Sequence, residues 1–259
     1  METLMVVGCD PLPDRVDELN RWYSWVHIRD VMRLPGSLSA QRFALSPVQP
    51  ATDSGTQPFT YLTLYEIADK TACNKGHFDD CFTDRMPIST AFDFQAFHEA
   101  YFDPLPGAGE RLDPRTAEQP VMLITLAASD ANSLAFEQIL AAGGLQDIAE
   151  LPGFAATTAF RFGTDQMMAL PARHSHLILC HLSDLSLAIA CWNRFAGDLP
   201  STWQAVDKAR LRGEAYLPLM PRLQAQDVLS EPEHVRSIAA QERASVGNDV
   251  HRPGANAFM

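Results

Sequence analysis

The chain has 259 residues, an apolar fraction of 46% and a formal net charge of −12. That length suits one large domain or two of ordinary size, each able to bury a core. The acidic balance speaks against nucleic acid, which demands clustered Lys and Arg, and against an anionic membrane surface.

Leu4 to Cys9 is a short apolar run that reads as a strand, ended by Pro11 and Pro13. Asp14 is placed to cap a helix from about Arg15 towards Met32. That helix stops before Leu34-Pro35-Gly36, because a residue preceding proline avoids helical angles. Leu38 to Leu45 reads as a second strand, residues 46 to 58 as a loop, and Phe59 to Ile67 as a strong third strand. A weaker helix follows from Asp69 to about Arg85, interrupted by Gly76, and then a strand from Phe97 to Phe102.

The same order then recurs. Val121 to Ala128 is a strand, Ala131 to Glu150 a helix and Phe154 to Phe162 a strand. His174 to Leu182 is a strand, Leu185 to Phe195 a helix and Tyr216 to Leu219 a closing strand. Local sequence repeats with it. Leu34-Pro35-Gly36 with Phe43 is echoed 117 positions on by Leu151-Pro152-Gly153 with Phe160. The run Thr60 to Asp69 is echoed 115 positions on by Ser175 to Asp184, and Glu99-Ala-Tyr-Phe102 by Glu214-Ala-Tyr-Leu217. Each copy reads β-α-β-β-α-β, the ferredoxin-like unit, with both helices on one face of its sheet. The other face is apolar and needs a cover. The expected fold is therefore α+β, two tandem ferredoxin-like modules forming an α+β barrel. The barrel closes within one chain, or alternatively between chains. The modules are placed at residues 1–112 and 113–223. Residues 224–259 are left as an arm over the surface or onto a partner subunit, or as a disordered tail, with one helix expected from Glu231 to Glu242.

The copies differ where chemistry is wanted. A helical wheel puts Tyr23, His27 and Asp30 on the face holding Val16, Leu19 and Val26. Shifted by 117, Tyr23 becomes Leu140 and His27 becomes Gly144, while Asp30 remains an acid, Asp147. The module folds without the tyrosine and the imidazole, so both are candidates for function. Set against this is an ordinary buried histidine satisfied by its neighbours. On the third strand Tyr61, Thr63 and Tyr65 share a face suited to a flat apolar ligand, or to plain core filling. His174 and His176 form a weak HxH pair, His77 with Asp79 and Asp80 reads as a solvated helix end, and no metal site is expected. Walker A, GxGxxG, HExxH and GxSxG patterns are absent. The five cysteines are odd in number and lack CxxC spacing, so they read as free thiols. With no signal peptide or long apolar run recognised, the expected location is the cytoplasm.

The run Asn20-Arg-Trp22-Tyr23, His27, Asp30, Leu34-Pro35-Gly36, Ala40-Gln-Arg42-Phe43, followed by the strand Tyr61 to Glu66, resembles the signature of EthD-like proteins of the dimeric α+β barrel superfamily. The second copy keeps the LPG turn, Phe160 and the strand. The resemblance covers most of residues 1 to 223 and implies small-molecule work. Relatives in that superfamily include cofactor-free monooxygenases, polyketide cyclases, dehydratases, muconolactone isomerases, chlorite dismutases and dye-decolorising peroxidases.

The expected function is thus a cofactor-independent lyase, dehydratase or isomerase moving a proton on a hydrophobic, aromatic or cyclic small molecule, working as a homodimer. His27 would be the general base or acid, its ordinary pKa being near neutral. Asp30 would orient it, and Tyr23 or Tyr65 would donate to a developing oxyanion. Trp22, Trp25 and Tyr61 would shape the pocket, and Arg42 would hold a carboxylate or enolate. The alternatives are a haem protein with His174, His176 or His181 as axial ligand, and a non-catalytic carrier. The pocket is expected between the first helix and its sheet.

Overall fold

The computed structural model describes residues 2–51, 57–106, 118–127, 130–168 and 172–246. β1 (Thr3–Pro11) leads into a helical rod made of α1 (Val16–Trp22), a π-helical turn (Tyr23–His27) and α2 (Ile28–Met32). β2 (Ser37–Leu45), β3 (Tyr61–Ile67), α3 (Lys70–Asp80) and β4 (Phe92–Pro104) complete the first half. The second half repeats the order. It runs β5 (Val121–Ala127), α4 (Asp130–Ile139), a π-helical turn (Leu140–Gly144), α5 (Leu145–Ala149), β6 (Phe154–Phe162), β7 (His174–Leu182), α6 (Leu185–Gly197) and β8 (Leu211–Pro218). β9 (Leu223–Gln224), α7 (Ala225–Leu229) and α8 (Glu233–Val246) follow. The boundary expected at 112/113 lies outside the described residues, as do residues 247–259.

Local chemistry explains the punctuation. Asp69 and Asp184 cap α3 and α6, each accepting from the backbone N–H three residues on. The two LPG turns end in left-handed glycines, Gly36 (φ 86°) and Gly153 (φ 94°). A Cβ on Gly36 would lie 2.4 Å from the Asp69 carbonyl oxygen, and one on Gly153 2.7 Å from that of Asp184. In both halves the glycine therefore lets the turn seat on the next helix's cap.

Four expectations need correction. Asp14 does not cap the first helix: it sits at φ 63°, Arg15 takes the cap position without a side-chain bond, and Arg15 pairs instead with Glu18. α3 is not interrupted at Gly76, whose missing side chain makes room for Leu34; a Cβ there would come within 3.0 Å of that leucine. β4 starts five residues earlier than expected, and β8 likewise. Val16 points outward, 41% exposed, whereas Leu19, Trp22, Tyr23 and Val26 are buried. The π turn adds a residue to the rod, so a wheel of uniform pitch misplaces residues on one side of it.

All strand pairings are antiparallel. The order β3-β1-β4-β6-β7-β5-β8-β2 closes on itself, because β2 also pairs with β3. Eight strands thus make a barrel within one chain, joined between halves by β4–β6 and β8–β2. Eight strands leave an interior that side chains can fill. Here Leu4, Phe43, Phe102, Leu123, Phe160 and Leu179 do so. Two further cores lie outside the barrel wall, one under the helices of each half.

The arm folds back onto the first half. Arg29 pairs with Glu231 at 2.8 Å, both nearly buried, and Arg243 of α8 pairs with Asp30. Val228 and Val246 are buried with the first-half core. No helix among the described residues is long and apolar enough to cross a membrane. All five cysteines are free.

Candidate active site

A cavity of about 820 Å³ lies in the first half, between the helices and the outer face of the sheet. That is the upper part of the usual range for small-molecule sites. Met5 and Val7 of β1 and Tyr65 of β3 form the floor. Trp22, Tyr23, His27 and Val31 form one wall. His77, Phe78, Cys81 and Phe82 face them from the end of α3, and Phe97 and Glu99 come from β4. The second half contributes Met167 and Met168 from the segment after β6.

His27 opens onto this space, and its buried Nδ1 has no hydrogen-bond partner. Trp22 stacks on the imidazole with ring centroids 4.7 Å apart and planes 26° apart, and Tyr23 meets it edge-on at 5.0 Å. Burial, followed by the neighbouring charges of His77 and Arg42, pushes its pKa down to about 3. The imidazole is therefore neutral throughout the physiological range, and the near-neutral pKa expected of it does not survive burial. The Tyr65 hydroxyl donates to that of Tyr23 at 3.4 Å. Burial raises both phenols, so both remain protonated.

Three expected site residues lie elsewhere. The Asp30 carboxylate accepts from Arg243 and Arg33 rather than from His27, so it anchors α8 to the rod. Burial raises its pKa to about 6 despite those arginines. Arg42 is completely buried behind Tyr23 and Tyr61, its guanidinium 4.4 Å and 5.3 Å from their ring centroids. It donates to Ser24 Oγ at 2.7 Å and Asn20 Oδ1 at 3.1 Å. Walled off in this way, it braces Tyr23 and does not reach the cavity. Tyr61 accepts from Asn20 Nδ2 at 2.9 Å and belongs to the same brace. Trp25 carries Arg29 over its ring, 4.7 Å from the centroid, and does not line the cavity either.

Two ionisable groups on the cavity wall had no assigned role. His77 is pushed down to about 4 by burial. Glu99 is pushed up to about 7, with burial as the cause. Among the described residues no hydrogen bond or ion pair satisfies the Glu99 carboxyl. Cys81, raised to about 12 by burial, is a protonated thiol and no nucleophile.

The echo at Glu99 was misleading. Met5 pairs with Tyr65 and Met122 with Cys180, so β1 and β3 align with β5 and β7 at the expected shifts. Yet Met5 pairs with Tyr101 across β4, and Met122 with Ala215 across β8. The true shift of the last strand is 114 (101 to 215), one less than the echo of 115. A one-residue slip moves a side chain to the opposite face. Glu99 therefore matches Gly213, while Glu214 faces the barrel and accepts from Tyr216 at 3.1 Å.

The caps Asp69 and Asp184 align α3 with α6, so His77 matches Trp192. A Cβ on Gly213 would lie 2.6 Å from the Trp192 indole nitrogen. The Trp192 ring thus sits over Gly213 and fills the space that His77 and Glu99 leave open in the first half. A Cβ on Gly144 would likewise lie 2.4 Å from Ile139 Cγ2, where the first half has His27 and Trp22.

The haem alternative fits poorly. His176 is tied to Glu137 at 3.1 Å and Ser175 at 3.1 Å. His174 opens onto a pocket of only about 50 Å³ at the barrel mouth, and His181 is buried in β7 opposite Val121. Among the described residues no group of three His, Cys, Asp or Glu is placed to hold a metal ion.

No family model matches the chain, and neither does any curated protein. Solved structures do match. An anthrone oxidase-like protein aligns with a TM-score of 0.56 at 12% identity, covering 86% of this chain and 92% of that one. A Listeria monocytogenes ferredoxin-fold protein, described as related to antibiotic-biosynthesis monooxygenases, aligns at TM-score 0.42 and 11% identity, covering 85% and 96%. A Rhodococcus jostii DypB variant in complex with heme aligns at 0.46 and 10%, covering 89% and 95%. The first likeness supports the ferredoxin-like α+β fold. The other two are too distant to bear on the argument.

Proposed function

We propose that the protein is an enzyme that moves a proton on a hydrophobic, cyclic or aromatic small molecule held in the first-half cavity, of the lyase, dehydratase or isomerase type. One observation carries this reading. His27, His77 and Glu99 meet one apolar cavity, whereas their second-half counterparts are Gly144, Trp192 and Gly213, and the equivalent space is packed. A fold that can be built without three ionisable groups has no packing need for them. Apolar walls with a few convergent polar groups are the common make-up of a small-molecule site, and titratable groups far from their ordinary pKa values belong to reactive ones.

In this reading Trp22, Tyr23 and Tyr65 shape and orient the ligand. His27, neutral and unpartnered at Nδ1, offers a hydrogen bond to a developing oxyanion. Arg42, Tyr61 and Asp30 hold the wall from behind. The EthD-like resemblance, the division at residues 1–112 and 113–223, a homodimer and a cytoplasmic location belong to the same reading. The free thiols support the location, and light scattering checks the dimer. A carbanion made here is also a species that dioxygen attacks, and the name of the anthrone oxidase-like neighbour makes oxygen uptake the second assay.

The test is α-proton exchange of 2-tetralone in D2O. Wild-type protein should accelerate it, and His27→Ala should lose most of the acceleration while melting normally. Exchange at the buffer rate, with no oxygen uptake, would overturn the reading.

A further inference from the structure

We propose that Glu99 is the acid–base residue of the cavity, accepting a proton from a weakly acidic C–H or O–H of a ligand that is itself uncharged. This rests on the reading of the cavity as a small-molecule site and assigns its reacting group. The proton passes to a Glu99 carboxylate oxygen. The bonding pair stays on the ligand carbon or oxygen, giving an enolate or phenolate, and the proton returns to the product in the reverse step.

Placement is the first argument. Glu99 lies on β4 between Phe97 and Tyr101 in the alternation, on the sheet face turned to the helices, and it lines the cavity. A carboxyl in such a wall needs a partner or a reason. No described residue partners it, and the structural counterpart is the glycine under Trp192. The neighbouring elements also leave it without a cation. Tyr65 of β3, Tyr101 of β4, Cys73 of α3 and Cys81 beyond it are the groups that feel its charge. Each is protonated and neutral at physiological pH, because burial raises it. His77 and His27, facing the same space, are neutral as well. The nearest fixed cation on that side, Arg42, is shut behind Tyr23.

Chemistry follows from that environment. A carboxyl pushed to about 7 by burial is half ionised at neutral pH and can take or return a proton there. His27, at about 3, is far too weak a base for the same work. It is suited to hydrogen-bond the ligand oxygen on which charge develops. An anionic ligand would meet a carboxylate with no cation to offset it, so the cavity should prefer neutral ligands.

Calorimetric titration with 2-naphthol and with 2-naphthoate, from pH 5.5 to 8.5, tests this. The wild-type protein should bind 2-naphthol more tightly as pH rises through about 7, by roughly fivefold, because a hydrogen bond to a charged acceptor is the stronger one. Binding of 2-naphthoate should weaken over the same range. Glu99→Gln should flatten both curves. If naphthol binds but both proteins show the same curves, Glu99 is not the acid–base group, and the cavity reading survives. If neither ligand binds, the proposal and the cavity reading fall together. Should the variant not fold, carboxyl 13C NMR of the wild-type protein decides. The assigned Glu99 signal must titrate near 7 and shift on adding naphthol; a signal titrating in the ordinary range overturns the proposal.

Discussion

The two halves solve the same folding problem and differ in one place. Both have a π turn in the first helix, at Tyr23–His27 and Leu140–Gly144. Turns of that kind often mark function. Here the repetition shows that the turn belongs to the module, since the second half has it over a packed core. What distinguishes the halves is the filling under the helices. Phe136, Trp192, Phe195 and Trp203 close the second half, and Asp147 fixes Trp203 by accepting from its indole N–H at 2.9 Å. The first half lacks these large residues and carries ionisable ones. Even the shared acid is put to different use, since Asp30 holds the C-terminal helix by Arg243. A duplicated module can thus keep one copy for stability and free the other to hold a ligand.

The largest expected effect breaks the stable half. Trp192→Ala should cost about 3–5 kcal/mol, as large-to-small changes in a packed core do. His77→Ala, at the matching site beside an existing cavity, should cost under about 1 kcal/mol. Urea unfolding compares the two. Similar costs would mean that the halves are not packed differently.

Next comes Glu99→Gln. The carboxyl's folded pKa, about 7, lies above its ordinary 4.5. Its stabilising contribution is therefore present below pH 4.5 and is lost as pH rises through 7. The variant should gain stability relative to wild type over that window, by up to about 3 kcal/mol, and no further above it. Parallel curves of stability against pH for the two proteins would contradict this. His27 and His77 act in the opposite direction. Their lowered values mean that stability declines as pH falls below 6.5 towards 4.

A transplant sharpens the contrast. His77→Trp combined with Glu99→Gly copies the second half's filling into the first. It should weaken 2-naphthol binding by roughly tenfold or more, equal to about 1.4 kcal/mol, without lowering the melting temperature. Unchanged binding would place the ligand elsewhere. The smallest effect is Asp30→Asn, expected to cost about 1–2 kcal/mol in stability through loss of the Arg243 and Arg33 contacts. Naphthol binding should be unaffected, since Asp30 does not face the cavity.

The fold was largely legible because its signals are local. Alternating apolar residues placed β6 and β7 to the residue, and the paired LPG turns and capping aspartates gave the repeat its register. β4 was read short because its first residues, Asp93 to Gln95, are partly exposed and polar in part. The π turn has no signature in residue type, and a uniform wheel cannot contain it. The cavity wall was half legible. Tyr23 and His27 stood out against Leu140 and Gly144, whereas Glu99 was hidden by its echo with Glu214. Pairing register alone exposes that slip, and it follows from backbone hydrogen bonds between strands far apart in the chain. Arg42 and Asp30 were polar residues on the expected faces, but their partners, Ser24 and Arg243, could not be read from spacing.

The most direct test of the account is chemical-shift mapping of 2-naphthol on the labelled protein at pH 7. The account predicts perturbations at Trp22, His27, Tyr65 and Glu99, together with Met167 and Met168 of the second half, and none at Phe136, Trp192 or Gly213. Perturbations centred on those last three would contradict it, because they would place the ligand in the half the structure shows to be filled.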